Sequence, residues 1–249
     1  MNEIVKKKCQ CINVSRRIRD STRAAGFFRS EYDHAMMMLN QNSDLLQLRA
    51  EIALVAARMV AQDGADYATA RRKAARQVLG VDQPKPNMMP DDLQIEDEVR
   101  KYQALFGGPA HGERLAQLRQ TALAVMDALA DFNPHITGAV LNGTAGEHDA
   151  IELQLFADSA KEVQIYLLNR NVNIEISETP HFKGGRHPAV ETVIFPWMKE
   201  TVHAELYEYQ DLRGALKPRA DGRPQRLDAN GLRALIARQA AAQDNAAQD

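Results

Sequence analysis

An α+β fold is predicted, with a helical N-terminal region followed by a mixed β-sheet core and flanking helices. Three observations predict it. Apolar residues recur at helical spacing as far as about residue 131, short runs of alternating apolar and polar residues follow Pro134, and one more helical segment at about 159–169 interrupts those runs.

The elements follow in order. Leu45, Leu48, Ile52, Val55, Ala56 and Met59 share a helical stripe, and Ser43 and Asp44 supply capping oxygens, so a helix is expected from Asp44 to near Gly64. A second should run from Tyr67 or Ala68 to Leu79, where Gly80 stops it. Pro84, Pro86 and Pro90 mark residues 81–92 as an extended connector. Leu93 to Phe106 reads as a helix, broken by Gly107-Gly108-Pro109. Residues 113–131 carry the clearest amphipathic stripe, formed by Leu115, Leu118, Ala122, Val125, Met126 and Leu129. Pro134 then forces an extended exit. Strands are expected at 136–142, 150–157, 172–178, 190–197 and 201–208. Residues 218–226 are polar and rich in Arg and Pro, a short helix is expected near 228–239, and the tail AAAQDNAAQD reads as disordered.

With 45% hydrophobic and 26% charged residues, the 249-residue chain has the composition of a soluble globular protein with room for a real core. A net charge of −2 argues against a uniformly basic nucleic-acid binder, although residues 1–29 hold eight basic residues against two acidic ones. Cys9 and Cys11 are too few for a closed zinc site and read as reduced thiols. The basic start has no apolar run behind it, and no segment reaches membrane-spanning length, so a cytoplasmic protein without a membrane partner is expected. Met36, Met37 and Met38 offer alternative starts, which would make the leader dispensable.

Alternation sets the faces of the sheet. Ile151, Leu153 and Leu155 oppose Glu152 and Gln154; Val172, Ile174 and Ile176 oppose Asn173, Glu175 and Ser177; Val202, Ala204 and Leu206 oppose His203, Glu205 and Tyr207. One face should lie beneath helices, burying Ile151, Leu153, Ile174, Ile176 and Leu206, and the other should be an open polar face. Trp197, after Pro196, is expected in the core or at a sheet edge.

The stretch ITGAVLNGTAGEHDAIELQLFAD, residues 136–158, reads as a strand, a Gly-Thr turn, and a second strand with acidic residues near its start. That order resembles the core motif of the DNA-polymerase-β-like nucleotidyltransferases, in which a strand ends in Gly-Ser or Gly-Gly and a following strand carries Asp-x-Asp. The resemblance covers about residues 113–217 and divides the chain into a basic leader (1–43), a helical region (44–112), a nucleotidyltransferase-like core (113–217), and a C-terminal helix and tail (218–249). In that family the turn holds the triphosphate and paired carboxylates hold two divalent ions for in-line phosphoryl transfer. Carried over, the resemblance implies phosphate binding by Gly143 and Thr144, and magnesium binding by Glu152 and Asp149 with Glu205 from a later strand. Glu175 is the other candidate for the third carboxylate, and Glu205 stands ahead because His203 and Tyr207 flank it. Ala150 occupies the family's first metal position and offers no ligand.

The same residues have plainer readings. Asn142-Gly143 is also the favoured type I′ hairpin turn. Lys183 and Arg186, in the loop HFKGGRHP, could cover a phosphate or belong to an ordinary inter-strand loop. His148 suits a solvated loop as well as a metal or acid/base role. Arg71, Arg72, Lys73 and Arg76 form either the solvated side of a helix or a phosphate-contacting surface for nucleic acid. The expected function is that of a nucleotidyltransferase-family protein that binds a nucleoside triphosphate and transfers a nucleotidyl group with magnesium. The alternative is a catalytically inactive module that binds nucleotide, RNA or protein on the same fold.

Overall fold

The computed structural model describes residues 43–147, 149–215, 219 and 221–246. The expectations for the leader, Cys9, Cys11, the three methionines and His148 lie outside the described residues.

Residues 43–63 form α1, and Ser43 and Asp44 are already helical rather than caps before it. α2 spans Tyr67–Leu79, with Asp66 accepting a hydrogen bond from Thr69 N at 2.9 Å and Gly80 closing it at φ 67°. α3 spans Asp92–Phe106 and opens with a capping box, in which Asp91 and Gln94 satisfy each other's backbone amides at 2.8 and 3.0 Å. Ile52, Ala56, Ala70, Ala74, Ile95 and Val99 join these three helices in a core of their own. Its many alanines let the helix backbones approach closely.

α4 spans Gly108–Ala128, so it begins five residues before the expected 113. Pro109 explains the early start, because a proline at the first turn gives up no intrahelical hydrogen bond.

The next segment departs from expectation. β1 contains only His135–Ile136, and Gly138, at φ 65°, turns the chain into a short helix α5, Gly138–Asn142. The expected strand 136–142 is therefore one turn of helix, which buries Val140 and Leu141. Gly143, at φ 80°, is its C-cap and not a hairpin turn.

β2 (Ile151–Ala157), α6 (Ala160–Asn169), β3 (Glu175–Thr179), β4 (Val190–Trp197) and β5 (Glu200–Glu208) complete the sheet. Its order is β1-β2-β5-β4-β3, with β2 and β5 parallel and the other pairs antiparallel. The fold is thus α+β, with a mixed five-stranded sheet after a helical N-terminal region. Ile151, Leu153, Leu155, Val202, Ala204 and Leu206 are buried on one face. Leu118, Val125 and Met126 of α4 and Val163 and Leu167 of α6 belong to the same core.

Ile176 corrects part of that expectation. It lies on the core side, opposite Val193, but is 55% exposed because β3 is the edge strand, three strands beyond β2. Ile174 lies before the strand and is only partly buried. Trp197 is partly buried against the core, 6.5 Å from the Phe195 ring.

A short helix α7 (Leu212–Ala215) follows the sheet, and a polar arm then leads to α8, Ala229–Ala246. α8 includes most of the tail expected to be disordered, consistent with the high helix propensity of its alanines. Among the described residues, no helix is long and apolar enough to cross a membrane.

Candidate functional site

Register brings Glu152, Gln154 and Phe156 of β2 beside His203, Glu205 and Tyr207 of β5 on the face opposite the core. The expected open polar face is open only at one end. At the other, Glu205 Oε2 accepts hydrogen bonds from Gln154 Nε2 and Tyr207 Oη, both at 2.8 Å. Arg226, from the polar arm, donates from Nε to Gln154 Oε1 and lies 4.3 Å from the centre of the Phe182 ring.

Aromatic packing closes that end further. Tyr207 stacks on Phe156 at 5.6 Å and meets Phe182 at 4.9 Å and His181 at 5.0 Å. Burial pushes the Tyr207 phenol up, and the hydrogen bond to the charged Glu205 pushes it further. Burial also lowers the Arg226 guanidinium. Sequence alternation places Gln154 and Tyr207 two residues from Glu152 and Glu205, so that part of the network was open to inference. Arg226 and Phe182 come from the arm and a loop, where no periodic signal exists.

Glu152 occupies the accessible end. Its residue surface is exposed, yet the surrounding protein raises its carboxyl group above the ordinary value, and the charges of Glu205 and Asp149 add to the rise. The peptide N–H of Thr137 donates to the Glu152 carbonyl at 3.0 Å, which holds the end of β1 beside it. Gly138 then passes directly against the carboxylate. A Cβ at residue 138 would overlap it, standing 2.5 Å from Glu152 Cδ. Gly138 was missed as a site residue, because the Asn-Gly pair drew the turn five residues downstream.

Asp149 precedes β2 and accepts from Gly146 N at 2.8 Å through Oδ2. It lines a depression of about 480 Å³ with Arg114, Lys199 and Glu200. Arg114 makes a two-pronged pair with Glu200 at 2.6 and 2.7 Å and donates to the Glu147 carbonyl at 3.0 Å, tying α4 to β5 and to the loop before β2. The hydrogen bond from Arg114 holds the Glu200 carboxyl below its ordinary value.

The other expected site residues do not gather here. Glu175 is on the edge strand, with β4 and β5 between it and β2, roughly 14 Å away at ordinary strand spacing. It cannot share an ion with Glu152. Gly143 and Thr144 lie at the C-terminal end of α5, the wrong polarity for an anion. Thr144 is buried; its N–H donates to the Ala139 carbonyl, its carbonyl accepts from Gln103, and its hydroxyl is buried without a hydrogen-bond partner among the described residues instead of facing solvent. Lys183 is paired with Asp211, and Arg186 is exposed on the same loop. In the basic cluster, Arg71 pairs with Asp92 at 2.7 Å and Arg76 with Asp82 at 2.9 Å, while Arg72 and Lys73 face solvent.

Among the described residues, no three or more His, Cys, Asp or Glu side chains form a group that could hold a metal ion. The arrangement nevertheless offers one accessible carboxylate against a glycine turn, with a second acid, Asp149, near enough to influence it. No protein-family model matches the chain, and neither does any curated protein or solved structure.

Proposed function

We propose that this protein is a nucleotidyltransferase-like module that binds a nucleoside triphosphate together with one magnesium ion and does not turn it over. The observation that supports this reading is the contact of Gly138 with Glu152. A strand ending in a glycine turn, laid against a carboxylate near the start of the next strand, is the order the resemblance calls for, with Gly138 in the place first given to Gly143.

The donor set suits magnesium that arrives with the triphosphate, because such an ion needs only one or two carboxylates when phosphates and water complete its shell. Glu152 supplies one carboxylate, and Asp149 is the candidate for another. The residues do not suit a resident pair of ions. Ala150 contributes no ligand, Glu175 is remote, and Glu205 Oε2 is occupied by Gln154 and Tyr207.

Calorimetric titration with the four ribonucleoside triphosphates, with and without magnesium, tests this reading alongside a pyrophosphate assay. Magnesium-dependent binding without pyrophosphate release is expected. Release at a rate that scales with enzyme concentration would reject the inactive assignment, and absence of binding to any of the four would reject the nucleotide site.

A further inference from the structure

A second cavity, of about 600 Å³, lies between α3, α4, the end of α5 and α8, against the polar arm. Its volume is in the range of small-molecule sites. Leu115, Leu141, Leu227 and Leu235 supply apolar wall, and the charged residues that line it are all arginines.

Arg119 is the unusual member. It is 2% exposed, and its Nε and Nη2 donate to the Val140 and Leu141 carbonyls, each at 2.9 Å. Its Nη1 is buried and has no hydrogen-bond partner among the described residues. Two carbonyl dipoles do not neutralise a guanidinium, and burial without a counter-charge lowers its pKa to about 10.

The other cations differ in what they have left to offer. Arg100 and Arg223 share Glu96 and Asp97, neither of which lines the cavity. Arg238, exposed on α8, donates from Nε to the Ala234 carbonyl, a bond that neutralises nothing. Gln103 adds a second orphan. Its Nε2 donates to the Thr144 carbonyl at 2.9 Å, which fixes the amide orientation and leaves the buried Oε1 without a donor.

We infer that this cavity binds a small organic anion with an apolar body, its anionic head on Arg119 and Arg238 and its body against the leucines. Such a ligand supplies the missing counter-charge and fills the apolar wall in one step. A hydroxyl or N–H on it would also satisfy Gln103. Carboxylate and phosphate-monoester heads share the required chemistry. The site is separate from the Glu152 face and does not depend on the nucleotide reading.

Hexanoate, hexyl phosphate, 1-hexanol and inorganic phosphate are the probes, each at millimolar concentration, read by calorimetry and by thermal midpoint on the full chain. Hexanoate or hexyl phosphate should bind saturably and raise the midpoint, and whichever binds more tightly identifies the head group. Hexanol and inorganic phosphate should each bind at least about tenfold more weakly, since a buried charge pair and an apolar body each contribute at least about that factor. Arg119→Met should abolish binding, and Arg238→Gln, on an exposed helix surface, should fold normally and weaken it severalfold. The inference is overturned if neither anion binds, if hexanol matches them, or if either Arg238→Gln or a folded Arg119→Met binds the preferred anion as the wild type does.

Discussion

Gly138 lies against the carboxylate of Glu152 so closely that no side chain fits between them. The glycine is also at φ 65°, a left-handed conformation that side chains disfavour. Both facts fix one backbone turn beside one carboxylate.

Gly138→Ala should therefore cost about 1–3 kcal/mol in urea unfolding through strain and abolish binding of magnesium triphosphate by displacing Glu152. Gly143→Ala provides the contrast. At φ 80°, with the new Cβ 3.4 Å from Arg119 Nη2, it should also be destabilising, by about 1–2 kcal/mol, yet leave triphosphate affinity unchanged. Equal loss of affinity in both variants would return the phosphate role to Gly143.

The raised Glu152 carboxyl sets a pH dependence. The native state keeps a proton that the unfolded chain has already released, so stability falls as pH rises from the ordinary carboxyl value through the raised one. Glu152→Gln should remove that fall. Thermal midpoints from about pH 4 to about pH 8, measured for both proteins, check it; parallel curves would mean that Glu152 titrates as an ordinary carboxylate.

Arg114 and Glu200 act in the opposite direction. The Glu200 carboxyl is held below its ordinary value, so its stabilising contribution is full above that value and is lost as pH falls through the lowered one. Arg114→Met should cost about 1.5–3 kcal/mol near neutral pH and flatten the acid side of the stability profile. A variant with unchanged stability at neutral pH would show the pair to be energetically idle.

Ala150→Asp restores a carboxylate two residues from Glu152, on the same side of the chain as it enters β2. The variant should be less stable without metal, because like charges repel, and should gain more thermal stability from magnesium with triphosphate than the wild type. Equal magnesium responses would remove position 150 from the site.

Helices and core strands were legible in the sequence because their periods are regular. Gly80 closes α2 as its chemistry dictates, and Ile151, Leu153 and Leu155 alternate into the core. Residues 136–142 misled because four apolar residues in a short run fit a strand as well as one helical turn, and only the left-handed Gly138 decides between them. Ile176 alternates correctly, but alternation says nothing about whether a helix reaches an edge strand. The common face of Glu152 and Glu205 was legible from strand alternation. The Arg226–Gln154 contact joins residues 72 apart, and the Arg119 cavity depends on tertiary packing that no local pattern encodes.

Calorimetric titration of the tightest-binding of the four triphosphates into wild type, Gly138→Ala and Glu152→Gln, in magnesium and again in a chelator, addresses the nucleotide site most directly. Binding should occur only with wild type and only with magnesium, and pyrophosphate should stay at background. Binding of that triphosphate with wild-type affinity in both variants, or in the presence of chelator, would contradict the assignment of the Gly138 turn and Glu152 to the nucleotide.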